Sequence, residues 1–192
     1  ILTGLGLTQV SVNAMPRVLV LTSGHEVIEP DESLTPGKIY NSNRAMICGL
    51  LEDLGFTKIT HYHVSDAPED LESEIKHVLS LGAEADIIIS SGGVSVGLFD
   101  TMPLIYEKLG AQALYTRIQM RPGAASYGAV TPKGQIIFGL SGNPGAAFNG
   151  WHLIVAPTLK RYKGLINWTT PVVACVMDSE IFKRNAFDRY VQ

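Results

Sequence analysis

Two glycine-bearing loops hold the residues of this chain best suited to chemistry. In the first, Asp86-Ile-Ile-Ile-Ser-Ser-Gly-Gly-Val-Ser-Val-Gly-Leu-Phe-Asp100, an apolar run as long as a buried strand leads into Gly92, Gly93 and Gly97. Glycines there remove side chains where the strand ends, and backbone N–H groups exposed in such a loop can cradle phosphate or another oxyanion. In an open α/β sheet, ligands bind just beyond the carboxyl ends of strands. The second loop, Ser141-Gly-Asn-Pro-Gly145, has the same small-residue character. Asn143 reads as an N-cap and Pro144 as the first helical position, and this second loop strengthens the case for an anionic ligand. Single polar residues surround these loops. Glu26 follows the first predicted strand at its carboxyl end, where a structural carboxylate has little reason to be, and reads as a metal ligand or substrate contact. Asn43 and Arg44 open a predicted helix, with Arg44 either pairing a phosphate or lying solvated. Asp66 with Glu69 has the pattern of a capping pair, and Asp100 that of an N-cap for a helix near Thr101.

The elements that must position these groups alternate in type. Arg17–Thr22 reads as a buried strand, and Pro30–Lys38 as a polar loop. Apolar residues at Ile47, Leu50, Leu51 and Leu54 give one helical face ended by Gly55. Lys58–Val64 is a second predicted strand, followed by a helix with Leu71, Ile75, Val78 and Leu79 inward. After the glycine-loop strand and a short helix over Thr101–Leu109, three strands are expected at Ala113–Met120, Ser126–Thr131 and Gln135–Leu140. Pro132-Lys-Gly134 turns between the last two, and a helix from Asn143 runs to about Tyr162. Strands alternating with helices predict a doubly wound, mostly parallel sheet covered on both faces. Val172–Val176 returns to a strand-like pattern and reads as the start of another module.

Composition removes several classes of function. The 192 residues fit one full domain plus its ends, or one domain and part of another. A net charge of −3, with no run of Lys or Arg, argues against nucleic acid as a partner. No apolar stretch is long enough to cross a bilayer, so no membrane partner is expected. Ile1–Gly6 has neither the basic region nor the cleavage site of a signal peptide, and the chain begins without Met, as a fragment would. Cys48 and Cys175 have no metal-type spacing and read as buried free thiols in a reducing compartment. His61 and His63 alternate on one strand without carboxylates at ligand spacing. No Gly-x4-Gly-Lys-Ser/Thr sequence is present, and no Gly-x-Gly-x-x-Gly follows the first strand, which sets aside P-loop hydrolases and dinucleotide dehydrogenases.

Five segments together form a pattern. Thr22-Ser-Gly-His-Glu26, Ile39-Tyr-Asn-Ser-Asn-Arg44, Ser90–Gly97 with Asp100, Met120-Arg-Pro-Gly123 and Gly139-Leu-Ser-Gly-Asn-Pro144 occur in an order and spacing that resemble the central domain of the molybdopterin molybdenumtransferase family. The resemblance covers about residues 17–164. It implies a three-layer α/β/α domain, with residues 1–16 leaving a preceding domain and residues 165–192 forming a linker and the start of a C-terminal β-domain. It implies a cytoplasmic homodimer that takes adenylylated molybdopterin and molybdate, releases AMP and leaves molybdenum on the dithiolene sulfurs. An adenylyltransferase partner belongs to the same expectation. Carried over residue by residue, Ser91, Gly92, Gly93, Ser95, Gly97, Asn43, Arg44, Gly123, Gly142 and Asn143 would contact the substrate. Asp100, Glu26 and Arg121 would be catalytic, and Asp100 with Asp66 would hold Mg²⁺.

The chain departs from the family's usual pattern at His25, Ala124 and Ser141. Ala124 stands where the family commonly has a lysine, and loss of a cation from an oxyanion site removes several kcal/mol, roughly, of transition-state stabilisation. Two other readings therefore stay open: an adenylyltransferase that makes the activated intermediate, and a non-catalytic pterin-binding or scaffold module.

Overall fold

Strand β1 (Val18–Ser23) is buried at all six positions, because both of its faces are covered. Val18 and Val20 point into one apolar cluster, Leu19 and Leu21 into another. The structure is a computed structural model that describes residues 1–65, 71–93, 101–174 and 176, with the backbone of 188–189. After β1 come a short parallel pair, β2 (Val27–Ile28) and β3 (Ile39–Tyr40), then helix α1 (Ser42–Asp53), β4 (Ile59–Val64) and α2 (Leu71–Glu84). Next are β5 (Ile87–Ser91), α3 (Thr101–Lys108), β6 (Gln112–Tyr115), β7 (Met120–Arg121), β8 (Tyr127–Val130) and β9 (Ile136–Leu140). Helix α4 (Pro144–Gly150) passes through a π-helical turn, Trp151–Val155, into α5 (Ala156–Tyr162), and a two-residue strand β10 (Asp188–Arg189) pairs with β7.

Six strands form one sheet in the order β4-β1-β5-β9-β8-β6. The first four are parallel, and β8 and β6 are antiparallel additions at one edge. Helices α1, α4 and α5 bury Ile47, Leu51, Trp151, Val155 and Leu159 against one face of the sheet. Helices α2 and α3 bury Ile75, Val78, Met102 and Ile105 against the other. The result is the expected three-layer α/β/α, doubly wound arrangement.

Two polar ties fix the end of the domain opposite the strand carboxyl termini. Buried Gln135 donates from Nε2 to the carbonyls of Gly82 (2.7 Å) and Ala85 (2.6 Å), and its Oε1 accepts from Thr131 Oγ1 (3.1 Å). This joins the β8–β9 turn to the last turn of α2. Lys163 Nζ donates to the Leu54 carbonyl (2.5 Å), so the end of α5 satisfies an open carbonyl at the C-terminus of α1.

Two sequence expectations change. Ala113–Met120 is not one strand: the β6–β8 register shifts between Ala113 and Tyr115, the chain leaves the six-stranded sheet after β6, and β7 pairs with β10 outside it. Gly128 permits that break, because a Cβ on it would lie 2.2 Å from the Tyr115 ring. Residues 171–174 form no strand either; Val172 and Val173 are 96% and 81% exposed, and no described strand pairs with them. Cys175 lies outside the described residues. Cys48 is a free, half-buried thiol on α1, pushed above its ordinary pKa chiefly by burial while Arg44 opposes the shift.

Candidate functional site

The chain runs from β1 through α1 to β4 on one side, then from β4 through α2 to β5 on the other. Strand order therefore reverses between β1 and β5, the crevice where open α/β sheets bind ligands. Register pairs Thr22 with Ser91 and Ser91 with Leu140, so β1, β5 and β9 end level with one another. Gly92, with φ +88°, occupies this crevice: a Cβ on it would lie 2.5 Å from the Ser23 carbonyl oxygen. Gly93, with φ +59°, is equally confined, with Met102 Cγ and Ser23 Oγ each 2.8 Å from a Cβ. The second loop closes the other side, where a Cβ on Gly142 would lie 3.5 Å from Gly92 Cα. The two loops that the sequence placed apart are thus in contact.

Helix starts supply the wall above them. Asn143 Oδ1 accepts from Ala146 N (3.1 Å) and Pro144 follows, the cap expected from the sequence. Asn143→Ala is expected to cost about 1 kcal/mol and lower the melting temperature by about 2–4 °C, which a thermal melt reads directly. The N-cap of α1 is Asn41 rather than Asn43, since Asn41 Oδ1 accepts from Arg44 N (3.1 Å). Buried Asn41 also donates to Thr22 Oγ1 and Glu29 Oε1, each at 2.9 Å. Because Asn41 Oδ1 is committed to the helix, Nδ2 must be the donor to Thr22. The Thr22 hydroxyl proton is then left for His63 Nδ1, 3.1 Å away. Arg44 closes this chain of contacts through Nη1, 2.6 Å from Glu29 Oε2. Its guanidinium is thus engaged in a largely buried ion pair, neither solvated nor unpaired.

Asn43, the second residue of α1, reaches both glycine loops: Nδ2 donates to Ser91 Oγ and to the Gly142 carbonyl, each at 2.8 Å. Ser91 Oγ in turn donates to the Ser141 carbonyl (3.0 Å). Glu26 stands at the rim with its side chain 44% exposed, its Oε2 3.5 Å from His25 Nδ1. Arg121 lies exposed on β7. Gly123, two residues on, brings this segment to α4, with the Ala146 carbonyl 3.4 Å from the place of its Cβ. Ser95, Gly97, Asp66 and Asp100 lie outside the described residues. Among the described residues no three His, Cys, Asp or Glu side chains cluster as metal ligands would, and no helix is long and apolar enough to cross a membrane. Sequence reasoning passed over Thr22, Asn41, Glu29 and His63 as site residues. Asn41 was detectable as a capping residue ahead of an apolar helix; Glu29, in a polar loop, carried no signal.

Comparison with known proteins interprets this geometry. Residues 19–161 match the family model described as "Probable molybdopterin binding domain". The chain belongs to the molybdopterin-binding domain family. Over all 192 residues, this molybdopterin-binding domain is 36% identical to a molybdopterin molybdenumtransferase of Staphylococcus aureus strain MRSA252, and spans 45% of that protein's length. A second enzyme of the same name, from Staphylococcus epidermidis, is 35% identical over the same span. Among solved structures, a molybdopterin biosynthesis MoeA protein from Pyrococcus horikoshii superposes with a TM-score of 0.67 at 29% identity, covering 85% of this chain and 39% of that one. The tungsten cofactor synthesizing protein MoaB of Pyrococcus furiosus shares the fold at 16% identity, with a TM-score of 0.54 over 80% of this chain and 98% of its own. The molybdopterin-binding domain thus places both of its glycine loops and both helix starts at the carboxyl edge of the sheet.

Proposed function

We propose that this domain binds adenylylated molybdopterin across the β1–β5 crevice and serves the insertion of molybdenum from molybdate, with release of AMP. The observation that carries the reading is the contact between the two loops at the point of strand reversal, with Gly142 against Gly92. Identity of 36% to molybdenumtransferases over the whole chain supports the choice among the reactions of the family. Phosphate and oxyanion groups would sit against the backbone of Gly92, Gly93 and Gly142 and the start of α4. Arg121 would stabilise charge developing on the phosphoryl group. Mg²⁺, held by Asp100 and Asp66, would neutralise the phosphate oxygens; in the sequence Asp66 comes two residues after the last residue of β4 and Asp100 immediately before α3. A cytoplasmic homodimer with an adenylyltransferase partner completes the proposal.

The experiment is calorimetric titration with molybdopterin and with its adenylylated form, with and without Mg²⁺. The expected result is tighter, Mg²⁺-dependent binding of the adenylylated form. Asp100→Ala is expected to remove most of that Mg²⁺ dependence with little change in melting temperature, whereas a clear fall in melting temperature with Mg²⁺-dependent binding intact would make Asp100 a helix cap. Ala124 favours a second reading, a non-catalytic pterin-binding module, because its methyl group can offer no charge to an oxyanion. Equal, Mg²⁺-independent binding of both pterins would select that reading. ATP consumption in the absence of molybdate would instead select an adenylyltransferase.

A further inference from the structure

Asn43 does something that neither a substrate contact nor a helix cap requires. Its Nδ2 carries two protons, and both are committed: one to Ser91 Oγ at the end of β5, the other to the Gly142 carbonyl in the β9–α4 loop. The Ser91 hydroxyl receives one of these bonds and passes its own proton to the Ser141 carbonyl. Two consecutive carbonyls, those of Ser141 and Gly142, are therefore drawn back toward β5 and α1. In a planar trans peptide the C=O and N–H point in opposite directions. Pinning the Ser141 carbonyl thus turns the next amide, Gly142 N–H, away from the Ser91 hydroxyl. Gly142 is exposed and abuts Gly92, so this amide is presented beside the first glycine loop. Asn143 N, by contrast, is occupied by Ser141 Oγ at 3.3 Å.

The arrangement leaves Asn43 Oδ1 buried without a hydrogen-bond partner. A residue serving the fold alone gains little from an orphaned acceptor, because leaving a buried polar atom unmade is costly. The short primary amide of Asn43 supplies two donors from one nitrogen, and its oxygen comes with them.

We propose that Asn43 is a positioning residue and not a ligand contact: with Ser91 it staples the β9–α4 loop to the end of β5 and aims the Gly142 amide at the oxyanion of the substrate. This rests on the functional reading above, and the test separates the two. Amide hydrogen exchange is measured for Gly92, whose N–H bonds the Leu140 carbonyl at 3.2 Å, and for Gly142. The proteins compared are the wild type, Asn43→Ala, Asn43→Asp, Ser91→Ala and the Asn43→Ala/Ser91→Ala pair. Binding of adenylylated molybdopterin with Mg²⁺ is measured in parallel by calorimetry.

In Asn43→Ala, which removes both of these hydrogen bonds, exchange at Gly92 is expected to rise about tenfold, and Kd to rise about tenfold. Exchange in the core of β5 at Ile88 and Ile89 should stay unchanged. The double variant should be no worse than the poorer single one, because both act through the same staple. Asn43→Asp should be worse than Asn43→Ala, since a carboxylate would face the Gly142 carbonyl. A rise in Kd with Gly92 exchange unchanged would overturn the proposal and make Asn43 a direct contact, as would additive losses in the double variant. Faster Gly92 exchange supports the staple whether or not the wild type binds the pterin; failure of the wild type to bind overturns the functional reading alone.

Discussion

Gly92→Ala is expected to produce the largest combined loss of stability and binding of any single methyl added to this domain. The new Cβ would lie 2.5 Å from the Ser23 carbonyl oxygen and 3.1 Å from Ser23 Oγ, at a backbone φ of +88°. A flexible side chain could swing away from such a contact, but a strand carbonyl cannot. Left-handed strain costs about 1–3 kcal/mol, and overpacking roughly another 1–3 kcal/mol. The sum, about 3 kcal/mol or more, corresponds to a fall in melting temperature of about 6–12 °C for a chain of this size. Relief requires β5 to part from β1 at its carboxyl end, which is the crevice proposed to take the ligand. Binding of adenylylated molybdopterin should therefore fall below detection even at temperatures where the variant is folded. A melting temperature within 2 °C of wild type, roughly, together with unchanged calorimetry, would show that the crevice lies elsewhere.

The second large effect separates stability from binding. Trp151 is the largest fully buried side chain and packs in the cluster formed by β1, β5, β9, α1 and α5. Trp151→Ala is expected to cost about 3–5 kcal/mol, read as a lower midpoint in urea with a similar slope. Trp151 lies two turns from Asn143, so the cap and the loop staple are not directly touched. At low temperature the folded fraction should bind the pterin with a Kd within about threefold of wild type, a difference of under 1 kcal/mol. Loss of affinity as complete as that of Gly92→Ala would mean instead that the core below α4 sets the loop geometry.

Much of this molecule is legible from local pattern. Six buried residues in β1 and five in β5 announce themselves because parallel strands covered on both faces read as continuous apolar runs. Asn143-Pro144 marks a helix start because cap and first-turn chemistry are local. The glycines after β5 mark the crevice because Gly92 and Gly93 must adopt positive φ there. Other features depend on partners far along the chain. The path from His63 through Thr22, Asn41 and Glu29 to Arg44 joins four segments, and nothing near Glu29 announces it. The break after Tyr115 depends on the ring finding Gly128 across the sheet. Val172 and Val173 have strand-forming side chains but no described neighbour to pair with, and β-propensity alone does not make a strand. The two hydrogen bonds of Asn43 were not legible in the sequence, because its acceptors lie 48 and 99 residues away.

The π-helical turn at Trp151–Val155 has a consequence of its own. The residues that this long helix buries include Ala147, Trp151, Val155 and Leu159, a strict spacing of four. In a regular α-helix each step of four overshoots one turn by about 40°, so three steps would carry the stripe about 120° around the axis. The wider turn absorbs that drift and keeps Ala147 and Leu159 on one side. The helix therefore works as a phase adjuster between its capped end at the carboxyl edge of the sheet and its anchored end in the core. Deleting one residue within the turn would swing the two ends by about 100° relative to one another. Either Gly142, next to the helix cap, would then lose its contact with Gly92, or Leu159 would leave the core.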